Sequence, residues 1–232
     1  MTDDFSFLIS GGDDAVLSVW PVLPLVDVDD DSSAVIRDFH SWTDHVLGVT
    51  DVHVGRGGVC GRIFSASLDR TARVFELFSR QLLYTVSCGT FITSIVASPD
   101  EAWMYLGTGD GTIVAVDLVS AAMQNFTATG EVVMETGQTR HSMEGHSQAI
   151  TGLIVVEYGR MLVSSSEDGT VRLWDAPSKQ CLNEMDLKAP ITCMSLANHF
   201  TPRTPSPTKA SKEQAAFSAP PLRKYVTNRG ER

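Results

Sequence analysis

The chain has 232 residues, 43% of them apolar and 20% charged, with 18 basic against 28 acidic side chains. A length of this order fits one large domain or two small ones, and the apolar content excludes global disorder and a collagen-like chain. Cys60, Cys88, Cys181 and Cys193 show no CxxC spacing and no histidine at metal-ligand distance, which excludes a disulfide-stapled scaffold, argues against a zinc site and reads as four reduced thiols.

The N-terminus carries Asp3 and Asp4 where an export signal has positive charge, and its apolar run stops at Gly11-Gly12-Asp13-Asp14. A hairpin is expected next. Ser10 to Trp20 reads SGGDDAVLSVW, and three later segments align with it without gaps: SASLDRTARVF (Ser65 to Phe75), LGTGDGTIVAV (Leu106 to Val116) and SSSEDGTVRLW (Ser164 to Trp174). Each has small residues, an aspartate at the fifth place and alternating apolar residues ending in a bulky one, the pattern of strand, tight turn and strand. Asp14, Asp69, Asp110 and Asp168 mark the blade turns at intervals of 55, 41 and 58 residues. The shortest interval matches the roughly 40 to 45 residues of a four-stranded propeller blade.

Between the hairpins, Ala15 to Val28 is interrupted by Ser18, Pro21, Pro24 and Asp27, too broken for a membrane span. Residues 25–33 and 125–140 are polar or charged insertions and read as solvated loops. A second shared phrase precedes two hairpins: DHVLGVTDV (Asp44 to Val52) and GHSQAITGL (Gly145 to Leu153). Its Ile-Thr pair recurs at Ile92-Thr93 and Ile191-Thr192, with Cys88 and Leu187 where His45 and His146 stand in the other copies. Counting strands gives three for the first blade, four for each of the next three, and an innermost strand near Ile191 to Ala197 that completes the first.

These phrases, with Trp174-Asp175, resemble the WD40 repeat. The resemblance implies an all-β propeller in which a loop histidine, a serine on the second strand, the turn aspartate and a third-strand tryptophan form a buried hydrogen-bond chain. His146, Ser164, Asp168 and Trp174 match all four places. His45, Ser65 and Asp69 match three, with Phe75 in place of tryptophan, and Cys88, Leu106 and Val116 break the pattern around Asp110. Four blades permit a small closed ring, completion by another chain would bring self-association, and the usual WD40 count favours a partial seven-bladed ring with about four blades present.

A serine, histidine and aspartate invite comparison with a hydrolase triad, but the trio occurs twice and neither serine has a GxSxG elbow. Gly107, Gly109 and Gly111 lack the Lys-Ser/Thr and the helix of a phosphate loop. No catalytic, cofactor or metal residue is assigned, and the expectation is a protein that is not an enzyme.

The runs WTDHVLGVTDVHVGRGGVCGRIFSASLDRTARVFEL (Trp42 to Leu77), MYLGTGDGTIVAVDL (Met104 to Leu118) and DGTVRLWDAPSKQCLNEMDLKAPITCMSL (Asp168 to Leu196) resemble the WD40 subunits of the Rix ribosome-assembly complex. That resemblance implies a scaffold in pre-ribosomal RNA processing and large-subunit maturation, in the nucleolus and nucleoplasm. Its partners would be Rix-like protein subunits and the pre-ribosomal particle. The alternative is a generic WD40 adaptor in ubiquitin ligation, signalling or trafficking, with a cytoplasmic location.

From Thr201 the composition changes to Pro, Ser, Thr and Lys, so the blades are placed in residues 1–200 and a disordered tail in 201–232. The tail holds seven Lys and Arg against two Glu, net +5, and residues 1–200 hold 11 against 26, net −15. An acidic body repels phosphate, so RNA contact is expected to be weak or indirect, and no membrane contact is expected. Ser206, Thr201 and Thr204 each precede proline and are candidate phosphosites.

Overall fold

In the computed structural model, residues 2, 6–22, 39–120, 132–134 and 140–196 are described. Residues 1–196 form one compact unit, and residues 197–232 lie outside the described residues. Runs rich in β-branched and aromatic residues become the strands. A first sheet holds β1 (Phe7–Gly11), β2 (Leu17–Pro21) and β3 (His40–Trp42) in that order. A second runs β4 (Val49–Val54), β5 (Arg62–Ser67), β6 (Thr71–Glu76), β7 (Leu82–Ser87), and a third begins β8 (Ile92–Ala97), β9 (Trp103–Thr108), β10 (Ile113–Asp117). From the segment after β10, β11 (Val132–Met134) joins β7 of the second sheet, and β12 (Arg140–Met143) closes the third. A fourth sheet is β13 (Ile150–Val156), β14 (Met161–Ser166), β15 (Thr170–Asp175) and β16 (Gln180–Asp186).

The described architecture is all-β: four blades of a partial propeller, with β4, β8 and β13 as neighbouring inner strands. Among the described residues no helix is long and apolar enough to cross a membrane.

Two expectations are corrected. Val132–Met134 lies inside the 125–140 segment read as a solvated loop, yet it pairs parallel with β7, from Val132 opposite Tyr84 to Met134 opposite Val86. Its Val-Val-Met sequence suits a strand, and β7 offered an open edge. Conversely, Ile191–Leu196 is not a strand, although it carries the Ile-Thr signature of the inner strands. Thr192, Cys193 and Met194 instead line a cleft of about 350 Å³ with residues of β4, β8 and β13. A strand is defined by its ladder, and this segment shows one backbone bond to the fourth sheet, from the Ile191 N–H to the Ser166 carbonyl, in place of a ladder. The remaining predicted strand residue, Ala197, and residues 25–33 lie outside the described residues.

The recurring Val/Ile-Thr pair has a structural meaning. Register shifts fall between Val49 and Asp51, between Ile92 and Ser94, and between Ile150 and Gly152, so Thr50, Thr93 and Thr151 are each the extra residue of a bulge. A bulge frees the threonine from the ladder. Thr50 then donates to the Ile92 carbonyl of the next blade at 2.8 Å. Beside it, Asp51 Oδ2 accepts the Ser94 hydroxyl at 3.1 Å and the Ile95 N–H at 2.9 Å.

Strand alternation sends neighbouring residues to opposite faces, and each interface between blades becomes an apolar layer. Leu17, Val19 and Trp42 meet Ile63, Phe75 and Leu77 between the first two blades. Phe64, Val74 and Val86 meet Ile95, Met104 and Leu106 between the second and third. Tyr105, Ile113 and Ala115 meet Leu153, Leu162 and Trp174 between the third and fourth.

At the margin of the last layer the Lys179 ammonium stands 3.7 Å from the Trp103 ring centroid. Such a contact at a half-covered site contributes about 0.5–1 kcal/mol. Lys179→Met is therefore expected to lower the unfolding free energy by about that amount, read by urea denaturation, while keeping most of the side-chain stem.

Candidate functional site

The four hairpin turns and the connections that enter the inner strands lie along one rim. In every turn the residue after the aspartate is left-handed, with φ of 66° at Ala15, 68° at Arg70, 85° at Gly111 and 82° at Gly169. Glycine takes this conformation without the Cβ penalty, which explains the Asp-Gly pairs of the last two turns. Arg70 and Ala15 adopt it at a cost.

In the fourth blade the structure joins all four residues singled out from the sequence. The Trp174 indole N–H donates to Ser164 Oγ at 2.9 Å, and Ser164 Oγ lies 2.7 Å from His146 Nε2. His146 Nδ1 lies 3.1 Å from Asp168 Oδ2. The direction of every bond follows from the donor inventory. The Asp168 carboxylate can only accept, so Nδ1 carries the proton, and in the neutral ring Nε2 then accepts the Ser164 hydroxyl while the Ser164 oxygen accepts the indole N–H. Asp168 also receives the Ser147 N–H at 2.9 Å, the Thr170 N–H at 2.8 Å and the Thr170 hydroxyl at 2.7 Å.

The second blade repeats this up to its last member. His45 Nδ1 is 3.0 Å from Asp69 Oδ2 and Nε2 is 2.7 Å from Ser65 Oγ, while Asp69 takes the Val46 N–H at 3.0 Å and the Thr71 hydroxyl at 2.6 Å. Phe75 ends the chain of bonds. It is fully buried, with its ring 4.9 Å from that of Trp42 on the neighbouring blade, whose indole N–H reaches the Arg80 carbonyl at 3.1 Å.

In the third blade the buried Cys88, Leu106 and Val116 take the corresponding places. Asp110 there accepts the Thr108 hydroxyl and, at 3.2 Å, the Thr112 N–H. In the first blade Asp14 accepts, among the described residues, a local bond from the Val16 N–H at 3.1 Å. The residues Thr201, Thr204 and Ser206 lie outside the described residues.

Several members escaped the sequence reading. Thr71 and Thr170 supply hydroxyls to the turn carboxylates, and the threonine two places after the aspartate, also present at Thr112, was the available signal. Ser67 and Ser166 accept the Asp69 and Asp168 N–H groups and donate to the Leu47 and Gln148 carbonyls. Ser10 and Trp20 of the first blade make the same serine–tryptophan bond as Ser164 and Trp174, at 2.9 Å. Their matching first and eleventh places in the aligned repeat would have revealed it.

Burial lowers the pKa of both histidines below the usual imidazole value, against the opposing pull of the Asp69 and Asp168 carboxylates. Both are therefore neutral at pH 7, and each pairing with aspartate is a hydrogen bond rather than an ion pair. Burial would raise Asp69, but the Thr71 hydroxyl and the Val46 and His45 N–H groups outweigh it and hold the carboxyl at about 2. Asp168 is lowered further by its matching set of donors.

Ser65 and Ser164 are completely buried, and the Ser164 oxygen is already engaged by Trp174. A nucleophile must reach a substrate carbonyl, which this placement denies. Trp174→Phe would recreate the second blade's truncated chain. It is expected to cost about 0.5–1.5 kcal/mol by thermal unfolding, the net value of one buried hydrogen bond.

Comparison with known proteins fits this geometry. Residues 137–175 match the WD domain, G-beta repeat family, and this span contains the complete set from His146 to Trp174. The chain is a WD40-repeat protein. It is similar to WD repeat-containing protein 18 of Bos taurus, 36% identical over 214 residues, covering 89% of this chain and 48% of that protein. It is also similar to Protein ROOT INITIATION DEFECTIVE 3 of Arabidopsis thaliana, 28% identical across 96% of this chain and 50% of the relative. Pre-rRNA-processing protein IPI3 of Yarrowia lipolytica is 28% identical, across 97% of this chain and 53% of that protein. The chain thus spans about half the length of the curated relatives it matches. In the aligned WD40 chain, the His146 and His45 sets occupy two blades, and the third blade keeps only its turn aspartate.

Proposed function

We propose that this WD40 chain is a non-catalytic scaffold in a nuclear complex for pre-ribosomal RNA processing and maturation of the large ribosomal subunit. The observation that carries the reading is similarity along nearly the whole chain to proteins from an animal, a plant and a yeast, the last of them named for pre-rRNA processing. The blade chemistry agrees, since the Ser-His-Asp sets are consumed in holding turns and the rim is left to present loops. Partners on this reading are the other protein subunits of a Rix-like complex and the pre-ribosomal particle, met in the nucleolus and nucleoplasm. The acidic body makes contact with RNA weak or indirect.

Affinity purification of the tagged protein from its own cells, followed by mass spectrometry, tests the assignment. Large-subunit ribosomal proteins and assembly factors are expected among the specific partners. Recovery of ubiquitin-ligase, signalling or trafficking components without pre-ribosomal proteins would overturn it in favour of a generic WD40 adaptor.

A further inference from the structure

The rim of the second and third blades departs from that of the fourth in one respect. Where the fourth blade shows Ser147, Gln148 and Glu167, the second shows Val46, Leu47 and Leu68, and where the fourth shows Ala149 the third shows Phe91. Val46, Leu47, Leu68 and Phe91 are exposed by 79%, 50%, 44% and 43%, an apolar patch on an otherwise polar rim, with the Phe91 ring lying over Gly109.

They belong to one continuous surface. The Leu68 N–H bonds to the Gly48 carbonyl and the Val46 N–H to Asp69, which draws the first three together. The Cys88 N–H bonds to the Arg70 carbonyl, and the Gly109 N–H to that of Phe91, which carries the surface onto the third blade. A cavity of about 280 Å³ opens there, lined by Cys88, Gly89, Thr90, Thr108, Asp110, Thr112, Val114 and Ser142. In the blades on either side the position of Cys88 holds an imidazole, and the shorter cysteine leaves this space. A Cβ added at Gly89 would meet no atom within 4 Å.

The charge of the rim selects among occupants. Among the described residues the turns that carry it expose Asp13, Asp14, Asp110 and Glu167 against Arg70, with Lys188 beside the fourth turn; Asp69 and Asp168 are taken up by their own donors. Such a surface repels phosphate and attracts ammonium and guanidinium groups. At about 280 Å³ the cavity lies at the small end of the range of about 300 to 1,000 Å³ for small-ligand pockets. It suits a single long side chain whose aliphatic stem lies on Val114 and whose head meets the Asp110 carboxylate and the threonine hydroxyls.

We propose that the rim of the second and third blades docks a basic segment of a partner protein, apolar residues resting on Leu47, Leu68 and Phe91 and one lysine or arginine entering the cavity beside Asp110. The site needs no assumption about which particle the chain serves.

The test uses the full chain and two fluorescein-labelled peptides, one of alternating lysine and leucine and one of alternating glutamate and leucine, followed by fluorescence anisotropy. The lysine peptide binds, and its affinity falls as salt is raised. Gly89→Leu fills the cavity mouth without strain, and Asp110→Asn removes its charge; each weakens the lysine peptide by about tenfold, with melting temperatures confirming folded variants. Tyr158→Ser, on the connection between β13 and β14, leaves binding unchanged. Equal affinity for both peptides, or undiminished binding by folded Gly89→Leu, overturns the proposal. The basic tail is the rival occupant. With Arg223 and Lys224 changed to glutamate the affinity stays the same if a partner is the occupant, and a marked rise would assign the surface to the chain's own tail and overturn it.

Discussion

Phe75→Ala is expected to destabilise the folded chain by about 3–5 kcal/mol, the range for deleting a buried aromatic ring. Phe75 is the penultimate residue of β6 at zero exposure, with Trp42 of the first blade on one side and the second blade's own sheet around it. The Trp42 indole is tied to the Arg80 carbonyl and β7 is bulged at Leu83 opposite Phe75, so neither neighbour is placed to collapse into the space. Where the site cannot relax, the cavity cost adds to the lost transfer energy. Urea titration followed by tryptophan fluorescence checks this. Phe75→Leu, which keeps most of the volume, should lose much less.

The second large effect belongs to the turn carboxylate. Asp168→Asn is expected to lower stability by about 1–3 kcal/mol, the cost of leaving buried polar groups badly paired. Four donors converge on Asp168: His146 Nδ1–H, the Ser147 and Thr170 N–H groups and the Thr170 hydroxyl. An asparagine offers one oxygen for them and turns an N–H₂ toward the rest. The third blade supplies an internal control, because Asp110 has no imidazole to hold and Asp110→Asn should cost less. Equal melting temperatures for wild type and Asp168→Asn would sink the assignment of a structural role.

The same groups set the response to acid. Each histidine has a folded pKa below its usual value of 6.5, so the unfolded chain binds protons first as pH falls. Stability is then full above about pH 6.5 and declines below it. The aspartates act lower down. Asp69 titrates at about 2 when folded against 3.8 ordinarily, so its contribution is present above about pH 4 and is lost as pH falls toward 2. Melting temperatures should fall in two stages between pH 7.5 and 2.5, with Asp168→Asn reducing the second.

Much of the fold was legible because a repeat states its structure several times. Four aligned hairpins located the turns, and the spacing of His146, Ser164, Asp168 and Trp174 anticipated a chain of bonds that requires each residue type in its place. Other features were hidden for physical reasons. The bulges at Thr50, Thr93 and Thr151 change register without changing composition. The parallel pairing of Val132–Met134 depends on an open edge at β7, a fact of the assembled sheet rather than of the local sequence. Ile191–Leu196 carries the inner-strand signature yet forms no strand, since a strand needs a ladder as well as a propensity and the bond from Ile191 to Ser166 does not extend into one. The rim cavity arises from one substitution, Cys88 for histidine, whose consequence appears only when the blades are compared in space.

The central claim, a scaffold role in large-subunit assembly, is tested most directly by depleting the protein in its own cells and measuring pre-ribosomal RNA by hybridisation across the large-subunit precursor. The account predicts accumulation of unprocessed large-subunit precursors while small-subunit precursors mature normally. Unchanged large-subunit precursors under complete depletion would contradict it.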